Sequence, residues 1–306
     1  MKTVMLNDEL FFMIKNSNKY FFSVIIFFLI AGNTNGQKIN EPKGNAEWIK
    51  EYPPFRIAGN LYYVGTYDLA CYFIATPDGN ILINTGLASS AAQIKHNIEK
   101  LGYKFSEIKI LLTTQAHYDH LGAMAVIKEQ TGARFMIDAA DADVANKGGK
   151  SDYEMGKYGI TFKPVYADKL LHNNDTISLG GTSLVLLHHP GHTKGSCSFL
   201  FTVKDEQRSY TVLIANLPSI ITDRSFAGIS AYPDIAKDYA YTLKAMKQIN
   251  FDIWLASHAS QFHLHDKHKP GDTYKPLAFA DRKGYDEALK VLQKQYEVKL
   301  KKEERK

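Results

Sequence analysis

Apolar residues in this chain fall in short runs, and the spacing within each run sorts it as strand or helix. The runs LYYV (61–64), ACYFIAT (70–76) and NILINTG (80–86) are rich in β-branched and aromatic residues. Pro77, Asp78 and Gly79 supply a turn between the last two, so the pattern predicts an antiparallel meander. Next, ASSAAQIKHNIEKLG sets Ile94 and Ile98 on one side of a helix, and EIKILLTT carries a buried type of strand over Ile108 to Leu112. A helix start is expected at Gly122 and AMAVIKEQ, and the alternation continues through ARFMID and the segment Ala139 to Asn146. Strands return at DTISL, TSLVLLHH, SCSFLFTV and YTVLIAN, before a helix over Ile235 to Gln248 and the strand FDIWLAS. The chain ends in a helix whose Tyr285, Leu289, Leu292 and Tyr296 share one face. Strands then helices, twice over and without a linker, predict an α/β fold of two sheets packed as a sandwich and flanked by helices.

One polar stretch interrupts this order. GGKSDYEMGKYG, Gly148 to Gly159, predicts a loop long enough to cover a site. Its Tyr153, Met155 and Tyr158 are either packing groups or apolar contacts to a substrate.

Composition adds bounds. A chain of 306 residues that is 45% hydrophobic can bury a full core. The net charge of +5 has its clearest local source in the tail Lys299 to Lys306, and no basic stripe interleaves with aromatics, so a nucleic-acid partner is not expected. The first 36 residues differ from the rest: Lys15 and Lys19 precede the apolar stretch Tyr20 to Gly32, and small and polar residues run on to Gly36. This is the pattern of a secretory signal, with residues 37–306 as the mature domain. A bilayer span needs about 20 apolar residues, so no stable membrane anchor is expected after cleavage. Asp8 and Glu9 are unusual in a leader, which makes Met13 a second candidate start. Cys71 and Cys197 are the two cysteines; export would permit a disulfide, while their apolar surroundings suit buried free thiols.

The candidate chemistry is concentrated after one strand. Gln115, His117, Asp119 and His120 put a carboxamide, two imidazoles and a carboxylate into one short loop. Zinc accepts such nitrogen and oxygen donors in tetrahedral or five-coordinate geometry. His192, in the sharp turn HHPGHTKG, and His258, after FDIWLAS, also sit at strand ends, where residues distant in sequence meet at one sheet edge. His263, His265 and His268 are rivals to His258, but they fall in the polar stretch QFHLHDKHK. His96 and His172 lie in solvated settings, and His188 and His189 flank the ligand turn as candidates to orient it.

The motif QAHYDH, together with HHPGHTKGSCSF, FDIWLASHASQF, GGKSDYEMGKYG and FRIAGNLYYVGTYDLA, resembles the metallo-β-lactamase superfamily, whose fold is an αββα sandwich. The resemblance runs from about Pro54 to the terminal helix. It is narrowest to the third subclass, and within it to the GOB-type enzymes, in which a glutamine replaces the first histidine of His-x-His-x-Asp-His, as Gln115 does here.

That resemblance implies one or two zinc ions per chain, with Gln115, His117 and His192 on one and Asp119, His120 and His258 on the other. It implies hydrolysis of the β-lactam amide by a metal-bound hydroxide, with Asp119 as a catalytic residue that orients the attacking oxygen, and hence resistance to β-lactams including carbapenems. Ser219 matches a serine that contacts the substrate carboxylate, although a plain loop role after Pro218 is equally open. A carboxamide oxygen is a weaker zinc ligand than imidazole, so the Gln115 site is expected to be the weaker. Asn84 stands where many members carry aspartate and is expected to orient a ligand histidine less strongly. The segment LIANLPS holds no carboxylate at Ala215, Asn216 or Leu217, which argues against the thioester and phosphoester branches. The expected setting is the periplasm of a Gram-negative bacterium, and the expected state a monomer with a small-molecule substrate.

Overall fold

The computed structural model describes residues 38–42 and 45–304; the expected leader, residues 1–36, lies outside them. Two mixed sheets face each other across the main core. The first sheet runs β1 (Phe55–Ala58), β2 (Leu61–Tyr63), β3 (Tyr72–Thr76), β4 (Gly79–Ile83), β5 (Ile108–Leu112), β6 (Arg134–Asp138) and β7 (Lys169–Leu171) in spatial order. β2 to β4 form the expected antiparallel meander, β1 extends it on the open side, and β4 through β7 pair in parallel. The short edge strands β1 and β7 are additions to the sequence reading.

The second sheet holds β8 (Thr176–Leu179), β9 (Thr182–His188), β10 (Cys197–Lys204), β11 (Ser209–Ala215) and β12 (Ile253–Ala256), ordered β12-β11-β10-β9-β8. Only the β11–β12 pair is parallel, and it carries the chain back to the same sheet edge before His258.

Alternation of side chains across a strand explains the layers. Tyr72, Ile74, Ile81, Ile83, Ile110 and Leu112 of the first sheet meet Leu184, Leu186, Phe199, Phe201 and Val212 of the second in one buried cluster. Phe73, Leu82, Leu111 and Phe135, one residue out of phase, point the other way. They pack on α2 (Ala91–Lys100), through Ile94 and Ile98, and on α4 (Met124–Thr131), through Met124 and Ile127. The remaining helices are α1 (Ala46–Ile49), α3 (Tyr118–Leu121), α5 (Ala142–Asn146), α6 (Ile235–Met246), α7 (Leu264–Lys267) and α8 (Arg282–Glu304).

The terminal helix α8 docks by the expected face: Tyr285, Leu289 and Tyr296 are buried, and the Tyr285 ring meets Trp254 of β12 edge-on with centroids 5.3 Å apart. Trp254 is fully buried, and Trp254→Ala would cost about 3–5 kcal/mol through the cavity it leaves. No helix among the described residues is long and apolar enough to cross a membrane. Both cysteines are buried and free.

Candidate metal centre

The expected ligand loop begins where β5 leaves the sheet. Asn84, at φ +62°, turns its carboxamide oxygen to the loop entrance and accepts from the Thr114 amide (2.9 Å) and from the Thr113 and Thr114 hydroxyls (3.2 Å each). Asparagine tolerates that backbone region better than most residues. Among the described residues Asn84 makes no hydrogen bond to a candidate ligand histidine, so the expected weak orientation of such a ring is replaced by another role: it holds the backbone that delivers these histidines. The Thr114 hydroxyl pairs with Ser257 Oγ at 2.9 Å, tying this loop to the segment that ends in His258.

The loop is also less irregular than expected. His117 caps the helical turn α3, so Asp119 and His120 ride on a helix rather than in a coil, and helical structure after β5 starts before the expected Gly122.

The turn that bears His192 depends on two glycines. Gly191 adopts φ +131°, and a Cβ there would meet the Tyr239 ring at 2.9 Å; a Cβ on Gly195 would lie 2.5 Å from the Asp141 amide nitrogen. Asp141 is the fastener between the two loops. Its carboxylate accepts from the Ala116 amide (2.8 Å), the Thr193 hydroxyl (2.7 Å) and the Gly195 amide (2.7 Å). Burial pushes this carboxyl up to about 6 despite those bonds.

Each imidazole outside α3 has one nitrogen committed to a protein oxygen. His117 Nε2 lies 3.3 Å from Asp152 Oδ2, His258 Nδ1 is 3.1 Å from Asp68 Oδ2, and His192 Nδ1 is 2.8 Å from the Ser219 carbonyl. Such bonds fix the tautomer and leave the other nitrogen free for a ligand or metal. Burial, reinforced by nearby His117, lowers His192 to about 3, which keeps it neutral and able to donate a lone pair. Burial also opposes the charged form of His258, but Asp119 and Asp68 outweigh it and hold that ring near 9.

The donors converge on one cavity. One donor atom each from Asp119, His120 and His258 lies within 4.8 Å of the others. The His117 and His192 rings approach to 4.9 Å between centroids, and Gln115 Oε1 lies 3.4 Å from Asn216 Nδ2. A cavity of about 200 Å³ is lined by Gln115, His117, Asp119, His192 and His258 together with Trp48, Met155, Leu217, Ser219 and Ile221. A wider depression of about 750 Å³ lies beside α2, against Tyr52, Gln93 and His96, and has no such set of donors.

One atom tests whether these residues suit a metal. His120 Nε2 is buried without a hydrogen-bond partner; Asp119 Oδ2 is 3.4 Å away, outside bonding geometry. A buried nitrogen left unsatisfied is costly, and a cation accepting its lone pair removes that cost. The donor set of imidazoles, a carboxylate and a carboxamide oxygen fits zinc.

Residues 65–205 match the model of the metallo-beta-lactamase superfamily. The solved class B3 di-zinc metallo-beta-lactamase LRA-12, from an Alaskan soil metagenome, is 66% identical, with a TM-score of 0.84 over 86% of this chain and 100% of that one. The metallo-beta-lactamase GOB-18 from Elizabethkingia meningoseptica is 60% identical, with a TM-score of 0.86 over 87% of this chain and 99% of that one. The chain belongs to the metallo-β-lactamase superfamily. A curated relative, a probable metallo-hydrolase of Burkholderia pseudomallei, is 30% identical over 120 residues. The chain spans only 37% of that relative's length. The class B3 neighbours agree with the third subclass expected from the sequence.

In this superfamily member the rival histidines stay away from the centre. His265 stacks on Tyr67 and bonds its carbonyl, His268 stacks on Phe55, and His263 is exposed. His188 pairs with Asp138 at 2.7 Å, whereas His189 reaches Ser198 Oγ, which in turn accepts from the Asn216 amide. The three loop residues left open by the sequence separate: Tyr153 is buried and donates to the His192 carbonyl, Met155 lines the cavity, and Tyr158 is exposed. Besides Asp141, three more contributors escaped the sequence reading. They are Asp152, Asp68, and Trp48, whose indole N–H donates to Asp68 at 3.0 Å. A carboxylate inside the loop flagged as a site cover was the available signal for Asp152.

Proposed function

We propose that this chain hydrolyses the amide bond of β-lactams, carbapenems included, with one or two zinc ions, and thereby confers resistance. Gln115, His117 and His192 would hold one ion and Asp119, His120 and His258 the other, as in a GOB-type site. The single observation that carries this reading is the convergence of Gln115, His117, Asp119, His192 and His258 on one cavity, with His120 Nε2 buried and unpartnered within 4.8 Å of the Asp119 and His258 donor atoms. Bound zinc lowers the pKa of a water molecule toward neutrality and polarises a carbonyl oxygen.

The chain's own groups do the rest. Asp119 Oδ2 lies 3.4 Å from both His120 Nε2 and His258 Nε2, so a cation held by these three groups would keep the carboxylate ionised. An ionised Asp119 accepts a hydrogen bond from the attacking water and keeps its lone pair on the carbonyl. As the C–O bond forms and the C–N bond breaks, the ring nitrogen takes up the proton the water gives away. Ser219 lines the cavity; its hydroxyl oxygen lies 3.1 Å from His192 Nδ1, and because that ring nitrogen also has the Ser219 carbonyl at 2.8 Å, the hydroxyl can turn toward a substrate carboxylate without leaving the ring unpartnered. Met155, Leu217 and Ile221 supply apolar walls that exclude bulk water from the ring.

The chain would act as a monomer in the periplasm of a Gram-negative bacterium, after loss of residues 1–36. Imipenem hydrolysis by the purified protein, with and without a chelator, tests the reading. Ring opening that is lost with the chelator and restored by zinc is expected; a turnover insensitive to chelation, or found only on a lactone or a thioester, overturns it.

A further inference from the structure

Glu154 is 2% exposed, yet it sits in a polar surface loop. Its Oε2 is 3.1 Å from Arg224 Nη2, its other oxygen pairs with Lys157, and these cations with Thr222 hold the carboxyl below its ordinary value against the opposing effect of burial. The same Arg224 nitrogen donates to the Tyr153 carbonyl at 2.7 Å. One guanidinium therefore grips both the backbone and a side chain of the loop on the opposite flank.

The two flanks are the walls of the cavity. On one, four consecutive residues carry the site's support: Asp152 bonds His117, Tyr153 bonds the His192 carbonyl, and Met155 lines the cavity, with the Glu154 and Met155 amides both donating to Asp152 Oδ1. On the other, Ser219 and Ile221 line the same cavity, and the Ser219 carbonyl receives His192. That second flank is itself moored to α8, through Lys299 Nζ on the Thr222 carbonyl (2.8 Å) and Glu303 on the Phe226 amide (2.8 Å). The first flank has its own mooring, to α5 through the Gly149 amide on the Val144 carbonyl (2.9 Å) and through Tyr153 packed beside Tyr232 and Tyr239, so Arg224 adds a direct polar link from wall to wall.

We propose that the Glu154–Arg224 pair is a positioning clamp that fixes the distance between the two walls, and so sets how bulky a substituent the cavity accepts. The proposal rests on the β-lactamase reading above. Neither residue lines the cavity, so both act through Met155 and Ile221. Release of the clamp loosens the walls while the metal-holding groups keep their other partners.

The experiment uses the zinc-loaded full chain and the variants Glu154→Gln, Arg224→Gln and the double variant. Two substrates are compared: imipenem, and a cephalosporin bearing a bulky oxyimino side chain. Each single variant is expected to raise the ratio of kcat/KM for the bulky over the compact substrate by about three- to tenfold, mostly through KM. Zinc content should be unchanged. The double variant should be no worse than either single one, the signature of a shared interaction. Amide hydrogen exchange over residues 152–156 and 219–224 should rise in all three. An unchanged ratio with unchanged exchange overturns the clamp, as does zinc loss that tracks the change in activity. A wild-type protein that opens neither substrate defeats the β-lactamase reading instead, and the exchange measurement still decides whether the clamp exists.

Discussion

Asp152 Oδ2 stands 3.3 Å from His117 Nε2, and both side chains are buried, so the carboxylate has no competing solvent. The pair fixes which nitrogen of that ring remains for a cation. Asp152→Asn keeps the volume but removes the charge and allows the wrong tautomer. It should lower metal affinity or kcat/KM by about 10- to 100-fold, read by zinc titration and by steady-state kinetics. Wild-type values in both would show that the pair is incidental.

The weakest expected ligand is Gln115, whose oxygen also lies 3.4 Å from Asn216 Nδ2. Stepwise dialysis against a chelator should strip the Gln115, His117 and His192 set before the other. Gln115→His should tighten it by on the order of tenfold, about 1.4 kcal/mol. Metal analysis through the dialysis checks both; simultaneous loss from the two sets in the wild type refutes the ranking.

His189 gives a pH signature away from the cation. The Asn216 amide donates to Ser198 Oγ, so the hydroxyl hydrogen is free to be donated to His189 Nδ1, an arrangement that needs a neutral ring. Burial, helped by the neighbouring His188, lowers this imidazole to about 3. Because the folded value lies below the unfolded one, its contribution to stability is complete above about pH 6.5 and drains away as pH falls toward 3. Urea midpoints measured at pH 7 and pH 5 should therefore fall more for the wild type than for His189→Asn. Parallel slopes would exclude His189 as a source.

The cysteines make a simple check. Burial raises both thiols far above their ordinary range, and Cys71 and Cys197 stand free. Thiol reagent should find two reactive groups in the unfolded, unreduced protein and almost none in the native one. Absence of reaction after unfolding would reveal a disulfide.

What could be read from the chain divides along sequence distance. Gln115 through His120 announce themselves because the donors share one loop, and His192 and His258 follow because each ends a strand. Their carboxylate partners give no local sign: Asp152 is 35 residues from His117 and Asp68 is 190 from His258. The sheets were legible where β-branched runs are long. Strands β1 and β7 are edge pieces whose burial does not alternate, Ile57 and Ala58 being buried side by side in β1 and Leu171 alone in β7, so they carry no period-two signal. The turn α3 was hidden for another reason, since its cap is a histidine with no side-chain capping bond. Asn84 misled because a residue type alone does not say whether it faces a ring or a backbone.

The fastening of the 115–120 and 192–195 loops through Asp141 has a developmental consequence for the molecule. The cradle is a late product of assembly, since its parts are supplied by segments that share no local structure until both layers have closed. A cation captured there therefore reports that both layers have closed around it.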